Sequence, residues 1–209
     1  MCIRDRNVSF YNQTKEIGIK PTPVIGGVGL IKDYTKMITM NFKSEGNLVL
    51  VIGKTEGHLD QSLFARTILD EKNGPPPEVN LFNEKNNGES ILNLIEKGYV
   101  KSAHDISLGG LLVAISKMCI RGNKGIKINK SKKLINEIEY FFAEDQGRYL
   151  IEVNKEDLKE VTKILNKNSV HHEELGIITQ NDMIINEKTK VTIDELKSCY
   201  TTWLSKYMS

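Results

Sequence analysis

The chain has 209 residues, with 29 lysines and arginines against 27 aspartates and glutamates and a formal net charge of +2. That balance gives no electrostatic footprint for a nucleic acid, and the lysines at Lys130, Lys132, Lys133 and at Lys155, Lys159, Lys163 read as solvated faces. A hydrophobic share of 39% suffices for a packed core, and no stretch approaches the roughly 18 consecutive apolar residues of a membrane span. Cys2, Cys119 and Cys199 are too scattered for a disulfide framework or a zinc site, which suits a reducing compartment.

The first six residues, MCIRDR, have no periodicity and do not continue into the pattern of residues 7–12. They read as a foreign leader on a chain that starts inside a longer protein; a frayed natural start is the other reading. Residues 7–12 alternate, with Val8 and Phe10 on one face and Asn7, Ser9 and Tyr11 on the other. An Asn beside a Ser can hold a metal-bound phosphate, and the same pattern also suits the polar face of an edge strand. Residues 21–30, PTPVIGGVGL, read as a buried strand with close glycine packing. They are not a P-loop, because no Gly-Lys-Ser/Thr closes them.

From Lys36 onward the chain alternates strand and helix patterns. Residues 37–42 and Leu48–Ile52 read as two strands around a polar turn, the second wholly apolar like a central strand. Residues 62–69 and 88–97 have helical spacing, separated by the rigid Asn73-Gly74-Pro75-Pro76-Pro77. Later strands are expected at 99–103, 125–128, 149–153, 175–178, 183–186 and 191–193, the last three as a closing hairpin region. Helices are expected over 157–165 and from Ile193 to Met208, the latter with Leu196, Tyr200, Trp203 or Leu204, and Tyr207 on one side. His171-His172-Glu173-Glu174 is not a metal site, since neighbours on a strand point oppositely and no third ligand is in spacing. The alternation predicts an α/β or α+β domain.

The stretch around which this frame is organised is 99–118, YVKSAHDISLGGLLVAISKM. A short strand feeds His104, Asp105 and Ser107, and Gly109-Gly110 then open an apolar helix. Unpaired N–H groups at such a helix start favour an anion, and glycine lets a ligand approach the backbone. The same residues also fit a Ser107 N-cap with two glycines easing a turn. Further on, Glu144, Gln146 and Arg148 alternate and are expected to share a face.

Six stretches, in order, carry a resemblance: NVSFYN at 7–12, PTPVIGGVGL at 21–30, GHLDQSLFAR at 57–66, GPPPEVNLF at 74–82, SAHDISLGGLLVAI at 102–115 and FAEDQGRYLIEV at 142–153. Together the chain resembles the C-terminal part of the small-type synthetase subunits of phosphoribosylformylglycinamidine synthase. The resemblance implies an α/β (α+β) fold, with a C-terminal domain like that of aminoimidazole ribonucleotide synthetase over 36–209. This would be a mixed sheet packed with helices, preceded at 7–35 by the tail of a nucleotide-binding domain. It implies a cytoplasmic ATP-dependent C–N ligase of purine biosynthesis that converts formylglycinamide ribonucleotide, with glutamine-derived ammonia, to the amidine. ATP and Mg2+ are the implied cofactors. The implied partners are the missing N-terminal half of the subunit, a glutaminase subunit and a small bridging subunit, with no nucleic acid or membrane.

By the same resemblance Asn7 matches a magnesium ligand. Ser9, His104, Asp105, Ser107, Gly109 and Gly110 match substrate-contacting positions, and Glu144, Gln146 and Arg148 match a supporting run. The family's catalytic histidine has no counterpart here, so the chain alone is expected to be inactive; a non-catalytic substrate-binding or assembly fragment is the alternative. The chain departs from the family with Asp5-Arg6 for Gly-Gly, Leu108 for the usual Asp and Asp60 for a usual Gly. Truncation of the first domain also predicts exposed apolar surface around residues 23–30.

Overall fold

A computed structural model describes residues 13–18, 26–129 and 136–208. The chain divides into two compact units, Met1–Tyr34 and Thr35–Ser209. In the first, β1 (Gln13–Thr14) and β2 (Ile17–Gly18) pair antiparallel around a turn in which Lys15 has a φ of 55°. Residues 26–31 are irregular, and Val28 and Leu30 are fully exposed. Asn7, Ser9 and residues 23–25 lie outside the described residues.

The second unit is built on β3 (Leu48–Ile52), whose five apolar side chains are all buried. There follow α1 (Leu63–Thr67), α2 (Leu81–Glu96), β4 (Val100–Asp105), α3 (Gly110–Gly122), β5 (Gly125–Ile128) and α4 (Glu137–Phe142). The chain ends with β6 (Tyr149–Val153), α5 (Leu158–Lys167), β7 (His172–Thr179), β8 (Asp182–Ile185), β9 (Thr189–Thr192) and α6 (Ile193–Met208). Among the described residues, β3 to β9 form one sheet in the order β4-β6-β3-β7-β5-β8-β9. It is mixed: β5 and β8 pair parallel, and the other neighbours are antiparallel.

Both faces of the sheet are covered, as the unbroken apolar β3 requires. Leu48, Leu50 and Ile52 pack with Ile91 and Leu94 of α2 and Val161 and Leu165 of α5. Val49 and Val51 face the other way, with Leu111, Ile115 and Met118 of α3 and Tyr140 and Phe141 of α4. The layering is therefore helix, sheet, helix.

Several expectations are corrected by this packing. Residues 37–42 form no strand; only Thr39 bridges to Ser102, while Phe42 turns inward and is buried. The backbone after it is held by a side chain instead. The Glu152 carboxylate, fully buried on β6, accepts hydrogen bonds from the N–H groups of Lys43 (2.8 Å) and Ser44 (3.0 Å), the Asn47 amide (2.8 Å) and the Ser102 hydroxyl (2.8 Å). Helix α2 starts well before Gly88 because Asn80 caps it, accepting from the Asn83 N–H at 3.0 Å. The last three strands do not close as one hairpin. β8 and β9 do, but β7 crosses into the sheet between β3 and β5.

Candidate functional site

Three of the sequence stretches that carry the resemblance meet at one end of the sheet. β3 and β4 both run antiparallel to β6, so the loop after β3, the loop after β4 and the loop before β6 lie side by side. Two consecutive acidic residues of the third loop tie the other two down. The Glu144 carboxylate accepts from the N–H of Leu63, at the start of α1, at 2.7 Å and from the N–H of Gly109, at the start of α3, at 2.8 Å. The Asp145 carboxylate accepts from three successive N–H groups, Glu56 (3.0 Å), Gly57 (3.1 Å) and His58 (3.1 Å).

Beneath them lies Arg148, fully buried. Its guanidinium is 3.8 Å from the Asp145 carboxylate and donates to the Thr55 hydroxyl and to the carbonyls of Ala143 and Asp145. Burial pulls this guanidinium down from its ordinary value, and the carboxylate of Asp145 opposes the fall. Gln146, by contrast, is exposed. Glu144, Gln146 and Arg148 thus do not share a face. They lie in a loop, not on a strand, so alternation does not apply to them. Asp145 is the residue that period-two reasoning missed; a second acidic residue beside Glu144 was its only signal.

The loop carrying Asp105 and Ser107 splits into an outer and an inner set. Asp105 ends β4 with its side chain 61% exposed, and Ser107 and Leu108 are exposed beside it. His104 is on the strand, not in the loop, and its side chain is only 10% exposed. Its Nδ1 is 2.9 Å from Asp105 Oδ1. Partial burial pushes the Asp105 carboxyl up, but hydrogen bonds from Ser107, its own backbone and His104 bring it below its ordinary range. Asp105 therefore presents a fixed, ionised carboxylate to solvent, with His104 behind it.

Gly109 and Gly110 are inner residues. The helix cap is Gly109, with a φ of 88°, and not Ser107, whose carbonyl accepts from the Gly110 N–H at 2.9 Å. The Gly109 N–H is not open to a ligand, because Glu144 holds it. Gly110 has a φ of 72°, and a Cβ there would stand 2.7 Å from the Ala143 carbonyl oxygen and from the Phe142 carbonyl carbon. Its need for glycine comes from close approach to α4, not to a ligand. Gly110→Ala is expected to cost roughly 2–4 kcal/mol of stability by overpacking and backbone strain, read from urea unfolding; a loss near zero would show that α4 can shift.

Next to the loops, on the α2 side, lies a cleft of about 690 Å³ lined by Lys54, Glu56, His58, Glu84, Gln146 and His171 among others. Of the expected site residues it takes in only Gln146. Among the described residues, no group of three or more His, Cys, Asp and Glu side chains could hold a metal ion, and no helix is long and apolar enough to cross a membrane.

Comparison with known proteins now identifies the architecture. Residues 44–186 match the family described as AIR synthase related protein, C-terminal domain. The chain is 67% identical over 202 residues to phosphoribosylformylglycinamidine synthase subunit PurL of Pelagibacter ubique, covering 97% of this chain and 28% of that protein. The same subunit of Bartonella henselae is 39% identical over 202 residues, at 97% and 27% coverage. The chain thus spans little more than a quarter of the length of these relatives. In fold it is similar to Thermotoga maritima PurL complexed with FGAR (TM-score 0.62, 19% identity, 78% of this chain and 29% of that one). It is also similar to Escherichia coli HypE, a hydrogenase maturation protein (TM-score 0.53, 15% identity, 74% and 51%). With more than half its residues matched, this chain belongs to the AIR synthase related family and carries that family's C-terminal domain.

Proposed function

We propose that the chain works as the C-terminal portion of a phosphoribosylformylglycinamidine synthase subunit. That enzyme makes the amidine of formylglycinamide ribonucleotide from ATP and glutamine-derived ammonia. The observation that carries this reading is the convergence of the 57–66, 102–115 and 142–153 stretches on Glu144 and Asp145, which leaves Asp105 and Ser107 facing outward. The 67% identity to a PurL subunit supports it. Asp105 and Ser107 are the substrate-facing pair, suited to the hydroxyl or amide groups of a ribonucleotide. His104 is a positioning residue that orients Asp105, and Gly109 and Gly110 shape the loop.

The cofactors of the whole enzyme do not fit the described residues on their own. No carboxylate cluster suits Mg2+. The N–H groups that would cradle a triphosphate at 56–58 and at Leu63 and Gly109 are already spent on Asp145 and Glu144. Asn7, the magnesium candidate, lies outside the described residues. In this reading nucleotide and metal are held by the rest of the subunit, and this domain contributes substrate contacts and shape. The glutaminase and bridging subunits are its further partners; a PurLQS structure is known from Thermotoga maritima, with a fold similar to this one (TM-score 0.59).

The test replaces the matched segment of the Pelagibacter ubique protein with this chain and measures ADP release that depends on formylglycinamide ribonucleotide and ammonia. Activity is expected in the chimera. Asp105→Ala should lower kcat/KM by roughly tenfold to a hundredfold, the worth of one hydrogen bond to a charged group. Full activity in that variant would leave the loop without a substrate role and favour the assembly-fragment alternative.

A further inference from the structure

Helix α6 carries a surface that the loops of the candidate site do not use. Its first turns are anchored: Ile193 is buried, Leu196 packs on the core, and Lys197 donates to the Asn123 side chain after α3. Beyond them the apolar residues are uncovered. Tyr200, Trp203, Leu204 and Tyr207 are 59%, 63%, 59% and 74% exposed, at the spacing of a single helix face. The Trp203 and Tyr207 rings stack with centroids 5.4 Å apart.

The flank of this face is uncharged. No charged residue stands between Lys197 and Lys206. The hydroxyls of Thr201, Thr202 and Ser205 donate to the carbonyls of Lys197, Ser198 and Thr202 within the helix. Their donors are used within the helix, so a partner has only to leave or meet their acceptor oxygens. A membrane-surface helix would set lysines and arginines along its polar side, and this one does not, so the expected cover is protein.

The comparisons indicate which protein. The family match ends at residue 186, before α6 begins. The alignment to the Pelagibacter ubique subunit takes in 202 of the 209 residues. It leaves out too few to omit this 16-residue helix, so most of α6 is shared with that long subunit and lies beyond the shorter domain family. Some 72% of that subunit's polypeptide lies outside the match that covers 28% of it. We infer that the aromatic face of α6 is a docking surface for the remaining polypeptide of the longer synthetase subunit, an inference that rests on the proposed function.

Trp203 is the only tryptophan of the chain and reports this face directly. Its emission, taken as the difference from a Trp203→Phe variant, is compared between the chain alone and the chimera with the Pelagibacter ubique subunit. Exposed, red-end emission readily quenched by acrylamide is expected from the chain alone. A blue shift and several-fold weaker quenching are expected in the chimera. An active chimera whose Trp203 stays as quenchable as in the isolated chain overturns the docking surface and leaves the functional reading intact. A chimera that is inactive and does not assemble overturns the reading, and the inference with it. A blue shift in the chain alone that rises with concentration as the mass doubles would assign the face to a second copy, and a shift on anionic vesicles would assign it to lipid; either overturns the inference.

Discussion

Asp145→Ala should lose about 4 kcal/mol or more of folding stability, the sum of orphaned N–H groups at about 1 kcal/mol or more each and a buried cation left without its carboxylate. The residues concerned are Glu56, Gly57 and His58, whose N–H groups lose their acceptor, and Arg148, which stays buried 3.8 Å from an empty position. Urea unfolding of the variant gives the loss. Amide exchange gives its location: the 56–58 amides should exchange faster at once, while those of β3 should change only through the global loss. Asp145→Asn, which keeps an acceptor oxygen, should fall between. A loss below about 1 kcal/mol would mean that water takes over the three N–H groups and shields Arg148, so the loop would not depend on the carboxylate.

Glu152→Gln should be nearly as costly, about 3 kcal/mol. Each carboxylate oxygen takes two donors, Ser44 and Asn47 on one and Lys43 and Ser102 on the other. An amide keeps one of these oxygens and turns the other into a donor facing donors. Ser102 can rotate its hydroxyl to accept, but the backbone N–H groups cannot. The site is fully buried, so water cannot repair it. The loss should appear as a lower urea midpoint with an unchanged slope. Equal stability in the variant would show that the 43–47 turn can re-form without its anchor. Because this turn lies at the other end of β3 from Asp145, the two losses should add.

Both residues show the same device. Negative side chains accept from successive backbone N–H groups of the 43–44 and 56–58 loops, and the loops are stiffened from inside. At Glu144 this bears on ligand binding, since the start of α3 would otherwise be a ready anion site. Under the proposed function, substrate is left with the outer rim of Asp105 and Ser107, which are exposed. Leu108, exposed beside them, adds an apolar side chain to that rim.

Much of the fold was legible in the sequence because local pattern and tertiary role agree there. Leu48–Ile52 is apolar throughout and is buried on both faces; Gly125–Ile128 and Tyr149–Val153 are strands as their composition predicts; α6 begins at Ile193 as read. The resemblance also pointed to the family that the comparisons then established. What local pattern could not supply is the destination of each polar group. Residues 37–42 have strand composition, yet their neighbours Lys43 and Ser44 are claimed by Glu152, more than 100 residues away. Glu144, Gln146 and Arg148 alternate in sequence, but only folding decides that Glu144 caps two helices, Gln146 meets solvent and Arg148 is buried. His104, Asp105, Ser107, Gly109 and Gly110 were found as a group by their spacing, and the tertiary structure sorted them into a rim and a support. Hydrophobic period is a property of neighbours along the chain. Hydrogen-bond satisfaction is settled among groups that meet only when the sheet has formed, which is why the elements could be read in advance and the site could not.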